Sequence, residues 1–162
     1  MFSLTTGGVK TTLYSFLNGG DGAYPESALT AVGKKLYGMS LYGTDHLGTV
    51  FTLSLKGAFK TLYSFKGGND GSDPEGSLIA AGKVLYGVTY SGGSTTACSG
   101  YGCGTVFSVT PKTSAETVVY AFQGGSDGLD PEAGLTKVKT AIYGTTASGG
   151  TYYNGTVFQV AP

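Results

Sequence analysis

Arginine and tryptophan are absent from this sequence, histidine occurs once and cysteine twice. Charge is scarce as well. Only 12% of the residues are charged, about half the roughly 25% of an ordinary globular domain. The basic groups are all lysines, and ten of them balance ten Asp plus Glu at a formal net charge of zero. Nucleic-acid binders need a cationic surplus to neutralise phosphates, so that class is disfavoured. A charge balance near zero removes repulsion between copies and favours self-association. Apolar runs stop after a handful of residues, too short for a membrane-spanning helix. Met1-Phe2-Ser3-Leu4 reads as the start of a strand, with neither the basic nor the apolar region of a signal peptide.

The two cysteines lie in Ala97-Cys98-Ser99-Gly100-Tyr101-Gly102-Cys103-Gly104. Zinc would need two further ligands, and His46 sits in a different part of the chain. Two free thiols of a reduced compartment are one reading. A Cys98–Cys103 disulfide is the preferred one, because the glycine-rich spacer can bring the Cα atoms within bridging distance. A loop so short is stabilised by about 2 kcal/mol, and the bond persists outside the cytosol.

What the chain does contain is glycine, 29 residues, with 12 Tyr and 8 Phe. Beside abundant Val, Thr and Leu, this is the profile of short packed strands joined by glycine turns. A long helix is excluded, since each interior glycine costs it about 1 kcal/mol relative to alanine.

The chain repeats itself. Leu13-Tyr14-Ser15-Phe16 recurs as Leu62-Tyr63-Ser64-Phe65 and Val119-Tyr120-Ala121-Phe122. Asp21-Gly22 with Pro25-Glu26 recurs as Asp70-Gly71 with Pro74-Glu75 and as Asp127-Gly128 with Pro131-Glu132. Leu36-Tyr37-Gly38 matches Leu85-Tyr86-Gly87 and Ile142-Tyr143-Gly144, and Gly48-Thr49-Val50-Phe51 matches Gly104-Thr105-Val106-Phe107 and Gly155-Thr156-Val157-Phe158. The tyrosines Tyr14, Tyr63 and Tyr120 are spaced by 49 and then 57 residues, the extra length lying mainly in the loop with the cysteines. Each repeat divides into four runs. In the second copy these are Ser77–Ala81, Val84–Tyr90, Thr105–Thr110 and Thr117–Phe122.

One such sheet cannot bury two apolar faces, whereas sheets stacked face to face can. The expected fold is therefore all-β: three four-stranded antiparallel repeats forming half of a six-bladed β-propeller, closed by dimerisation. The blade-like units run about 1–25, 26–74, 75–131 and 132–162 of a single repeat domain, with strands shared across the termini. A parallel β-helix is the rival, though its coils are usually shorter. The run of a short apolar strand, a glycine turn and an apolar-aromatic strand also resembles the NHL-type blade.

The joint pattern Gly-Thr-Val-Phe, Leu-Tyr-Ser-Phe, Gly-Gly-x-Asp-Gly-x-x-Pro and Leu-Tyr-Gly-Thr-Thr resembles the GloVer (Gloeo/Verruco) tandem repeat over nearly the whole chain. The third copy matches most fully, in Tyr143-Gly144-Thr145-Thr146 and Ser148-Gly149-Gly150. The first departs most, with Tyr37-Gly38-Met39-Ser40. The resemblance implies a bacterial surface or exported protein, hence an extracellular or cell-surface location. The C-terminal anchoring signal frequent in that family has no counterpart in Val160-Ala161-Pro162. No activity comes with the resemblance.

Four groups of residues are candidates for function. Asp70, Asp73, Asp127 and Asp130, with Asp21, Glu26, Glu75 and Glu132, cluster in repeated glycine-rich loops that suit Ca2+. Turn chemistry explains them equally, with Asp-Gly turning the chain and Asp-Pro-Glu opening a short helical turn. No other cofactor is expected. Carboxylates confined to one repeated rim form no asymmetric pair of the kind glycoside hydrolysis needs, so no catalytic residue and no enzyme is expected. His46 beside Asp45 reads as a loop residue. Tyr42, Tyr90, Tyr101, Tyr152 and Tyr153 lie in or beside the loops between the second and third strands, where aromatic faces with polar tips suit a glycan. Tyr37, Tyr86 and Tyr143 read as packing residues. The functional expectation is an extracellular binding module, with a self-assembling structural subunit as the alternative, and self as partner in either case.

Overall fold

Glycine punctuation and β-branched runs divide the chain as their spacing predicts. The computed structural model describes residues 1–93 and 96–161, in thirteen strands arranged as four antiparallel sheets. The first sheet pairs β1 (Phe2–Leu4) with β2 (Lys10–Thr12). The second runs β3 (Thr30–Val32), β4 (Lys35–Ser40), β5 (Thr49–Ser54) and β6 (Phe59–Ser64). The third runs β7 (Ser72–Ala81), β8 (Val84–Ser91), β9 (Thr105–Thr110) and β10 (Ala115–Ala121). The fourth has β11 (Thr136–Val138), β12 (Ala141–Thr146) and β13 (Thr156–Val160). Within each sheet the strands follow in chain order, an antiparallel meander that rules out the parallel β-helix.

The largest departures from expectation are at β7 and β2. β7 begins at Ser72 and not Ser77, because Ser72, Pro74 and Glu75 pair with Ser91, Thr89 and Val88 before a bulge leads to Ile79. Pro74 and Glu75 are thus paired in the strand, with Asp73 in the left-handed region at φ 55°, and the expected helical turn is absent there. Pro74 is tolerated because β7 is an edge strand and needs no N–H on its open side. The single helical turns fall earlier, at Gly68–Asp70 and Gly125–Asp127. β2 stops at Thr12, although Leu13–Phe16 repeats the end of the Thr117–Phe122 run; beyond Thr12 Met1 lies opposite, its carbonyl accepting from the Leu13 and Tyr14 N–H and its ammonium donating to the Tyr14 carbonyl.

Stacking of the sheets makes the core. Tyr37, Met39, Val50, Leu62, Phe65, Leu78, Leu85, Phe107 and Val109 fill the space between the second and third sheets. Tyr86, Val88, Val106, Phe122, Leu135 and Ile142 fill that between the third and fourth. One contact sets the repeat. The phenylalanine after each outermost strand meets the next sheet edge-on: Phe16 on Phe51, Phe65 on Phe107 and Phe122 on Phe158, at 5.4, 5.0 and 5.0 Å. Gly38 and Gly87 make room for these rings, since a Cβ on either would stand 2.6 Å from Phe51 or Phe107 Cζ. Burying each such ring stabilises the stack by about 1.5–3 kcal/mol. The meander places the β4–β5, β8–β9 and β12–β13 loops at one end of the stack, together with the loops that join one sheet to the next. The tight turns lie at the other.

Candidate functional site

The loop end is built from a repeated lock. Tyr14, Tyr63 and Tyr120 donate their hydroxyls to Asp21, Asp70 and Asp127 at 2.8, 2.6 and 2.7 Å. The same carboxylates accept the backbone N–H of Leu17, Lys66 and Gln123 at 2.8, 2.7 and 2.8 Å. Phenol burial and the adjoining carboxylate push the Tyr14, Tyr63 and Tyr120 hydroxyls upward in pKa, while these donors lower Asp21. Gly71 and Gly128 then turn with φ near +100°, where a Cβ would stand 2.6 Å from the Thr89 or Thr146 hydroxyl.

Asp70 and Asp127 thus use one oxygen on a tyrosine and the other on the backbone. Asp73 accepts from Ser72 Oγ at 3.1 Å, and Asp130 lies beside Tyr90. A cation at these loops would compete with donors already in place. Among the described residues no group of three or more His, Cys, Asp or Glu converges in metal-binding fashion.

The cysteines are bonded, Cys98 to Cys103 with Cα atoms 5.3 Å apart. The disulfide holds the β8–β9 loop and lies against Gly124, where a Cβ would meet Cys98 Sγ at 3.0 Å.

The rim tyrosines fall into three settings. Tyr90 and Tyr101 line one groove of about 370 Å3 between the third and fourth sheets, with Leu129 and Asp130 across from them. The negative charge of Asp130, with burial, raises the Tyr90 hydroxyl. A matching groove of about 390 Å3 lies between the second and third sheets, lined by Asp45, His46, Asp73, Ser91 and again Tyr101. Tyr101 therefore stands 78% exposed on the wall that separates them. Tyr42 sits apart, edge-on to Tyr24 at 5.2 Å and to His46 at 5.5 Å. Tyr152 and Tyr153 project from the β12–β13 loop, 83% and 78% exposed, and line neither groove.

Two features gain their setting only from the structure. Tyr24 joins the aromatic rim in the place that Asp73 and Asp130 hold in the other copies, and its departure from the repeat was the available signal. Glu26 and Glu132 lie near enough to Glu75 for their charges to act on it. Burial, and then the charges of Glu132, Asp73, Glu26 and Asp130, push the Glu75 carboxyl above its ordinary pKa. The recurring Pro-Glu pair was its signature.

Tyrosine lock, ring-on-ring contact and glycine slot recur together at the same repeat positions, and the Gloeobacter/Verrucomicrobia repeat profile matches residues 1–162. The chain belongs to the Gloeobacter/Verrucomicrobia repeat family. Among solved structures, this family member is similar to TolB from Acinetobacter baumannii, with 20% identity and a TM-score of 0.47. The similarity covers 78% of this chain and 26% of that one, so the chain spans about a quarter of TolB's length. No curated protein matches it.

Proposed function

We propose that the chain is an extracellular or surface-exposed, non-enzymatic β-propeller module, half of a ring, that binds glycans at its loop rim. The observation that carries this reading is Tyr101, an exposed aromatic face shared by two grooves that each also hold polar side chains. Sugar rings stack their C–H faces on such a surface while hydroxyls bond to the walls. Tyr90 and Asp130 supply the polar wall in one groove, Asp45, His46 and Asp73 in the other. Tyr42, Tyr152 and Tyr153 extend the aromatic rim to the neighbouring loops. Calcium has no necessary part in this scheme, which includes neither nucleic acid as a partner nor a membrane span. The disulfide suits an oxidising compartment. Among the described residues no helix is long and apolar enough to cross a membrane.

The test is binding to a panel of immobilised glycans, followed by Tyr101→Ala. The variant is expected to keep its thermal midpoint and lose about tenfold in affinity, the upper range for one aromatic contact. A ligand bound equally well by Tyr101→Ala would end the aromatic-rim reading. A second reading, a self-assembling structural subunit, is favoured by the free edge of β13 and by zero net charge.

A further inference from the structure

Two interfaces inside the chain are built alike. Where the second sheet meets the third, Phe65 N–H donates to the Gly48 carbonyl at 3.1 Å and Asp73 N–H to that of Leu47 at 3.3 Å. Pro74 covers Gly48 so closely that a Cβ there would overlap its ring. Where the third sheet meets the fourth, Phe122 donates to Gly104 at 3.0 Å and Asp130 to Cys103 at 3.1 Å, and Pro131 covers Gly104.

The halves of a third such interface stand at opposite ends of the chain. Asn154-Gly155 occupies the position of Leu47-Gly48 and Cys103-Gly104, just ahead of β13, whose outer edge pairs with no described strand. Phe16, Tyr24 and Pro25 occupy the positions of Phe65, Asp73 and Pro74. Among the described residues neither the Phe16 nor the Tyr24 N–H makes a backbone hydrogen bond. Among the described residues the fourth sheet has three strands, ending at β13, while the first sheet pairs β2, the counterpart of the outermost strands β6 and β10, with β1 alone.

We infer that two copies of this chain close head to tail into a ring of six sheets, in which β2 of each chain leaves β1 and pairs with β13 of the other. This rests on reading the chain as half of a propeller, and it names the partner and the seam. The register is already set. β5 and β6 pair Phe51 with Thr61, Thr52 with Lys60 and Leu53 with Phe59. Carried to the seam, this puts Phe158 opposite Thr12, Gln159 opposite Thr11 and Val160 opposite Lys10. β1 holds that same register now, Phe2 to Thr12, Ser3 to Thr11 and Leu4 to Lys10. β13 can therefore replace it residue for residue. β1 gives up little in leaving, since Phe2 and Leu4 are 59% and 62% exposed.

The seam also carries its own pair of residues. Inside the chain a glycine in the left-handed region faces an apolar group: Gly67 faces Leu47, and Gly124 faces the disulfide. At the seam both members differ together. Asn18, still left-handed at φ 59°, takes the glycine position, and Asn154 takes that of Leu47 and Cys103. Two facing amides hydrogen-bond to each other, which neither could do at an internal interface.

The test uses Asn18→Cys with Asn154→Cys in one chain, oxidised and run without reductant, beside light scattering of the unaltered chain at micromolar concentration. The expected results are one covalent dimer from the double variant, none from either single variant, and twice the 16.4 kDa chain mass in solution. A ladder of higher species would mean that the contact propagates without closing and would overturn the ring. A monomeric mass would overturn the seam entirely, even if the double variant failed to fold. Removal of residues 1–9 separates strand exchange from simple docking: the dimer should persist, and a monomer would show that β2 needs β1. Rim binding is read separately, so loss of glycan affinity with an intact dimer would sink only the binding proposal.

Discussion

A residue's role here depends on how often it recurs. Tyr63, Asp70 and Gly71 were visible in the sequence because each has two counterparts under the same geometry. Glu116 has none, and only the structure shows what it does. Its Oε1 is buried with no hydrogen-bond partner among the described residues, close to Asp70, Tyr63 and Lys66. Burial first, then the charge of Asp70, raises its pKa from 4.5 to about 7. A carboxyl raised on folding favours the fold while it stays protonated. Its stabilisation is fully present below pH 4.5 and is lost as pH rises through about 7. Denaturant unfolding should therefore show the chain weaker at pH 8 than at pH 5 by about 1 kcal/mol, allowing for solvent screening. Glu116→Gln should remove that difference; an unchanged pH profile in the variant would assign the dependence elsewhere.

At the scale of elements, strand order was legible because glycine and proline punctuate each run and the runs repeat. β9 falls where the sequence placed it. Ends were less legible where pairing and not composition decides them. β7 gains five residues from partners on β8, and β2 loses four because its neighbour ends. The candidate site was legible in the same measure. The sequence picked out Tyr90 and Tyr101, but which two tyrosines share a groove is fixed by loop conformation, and the disulfide fixes that loop. Cys98–Cys103 closes a separation of only 5 residues, so its chain-entropy contribution is about 2 kcal/mol. In scanning calorimetry, Cys98→Ser with Cys103→Ser should lower the midpoint by about 5 °C. Tyr101 should lose its fixed place on the groove wall as well, weakening any rim ligand. An unchanged midpoint with unchanged binding would leave the disulfide without a role in the site.

Charge is what distinguishes the two ends of the whole molecule, despite a formal sum of zero. The loop end holds Asp21, Glu26, Asp45, Asp70, Asp73, Glu75, Asp127, Asp130 and Glu132, on the segments between sheets, on the β4–β5 loop and, for Asp73 and Glu75, on the first residues of β7. The opposite end carries Lys34, Lys83 and Lys139 on the turns leading into β4, β8 and β12, with Lys56 and Lys112 on those leading into β6 and β10. All five are exposed. Meander topology makes this separation possible, because turns of one kind always emerge at one end, and the repeat brings several of these charges back at the same end of successive sheets. Composition alone gives a net charge of zero; the arrangement gives the molecule an acidic end and a basic one. Near neutral pH and low salt, a net-neutral protein so built should be retained on a sulfonate resin, and salt should release it as the screening length falls below about 10 Å. Lys34→Glu with Lys83→Glu and Lys112→Glu should abolish retention while leaving the fold intact, since these residues lie in open turns. If the triple variant eluted with the unaltered chain, retention would belong to some other part of the surface, and the basic face would be only a row of solvated turns.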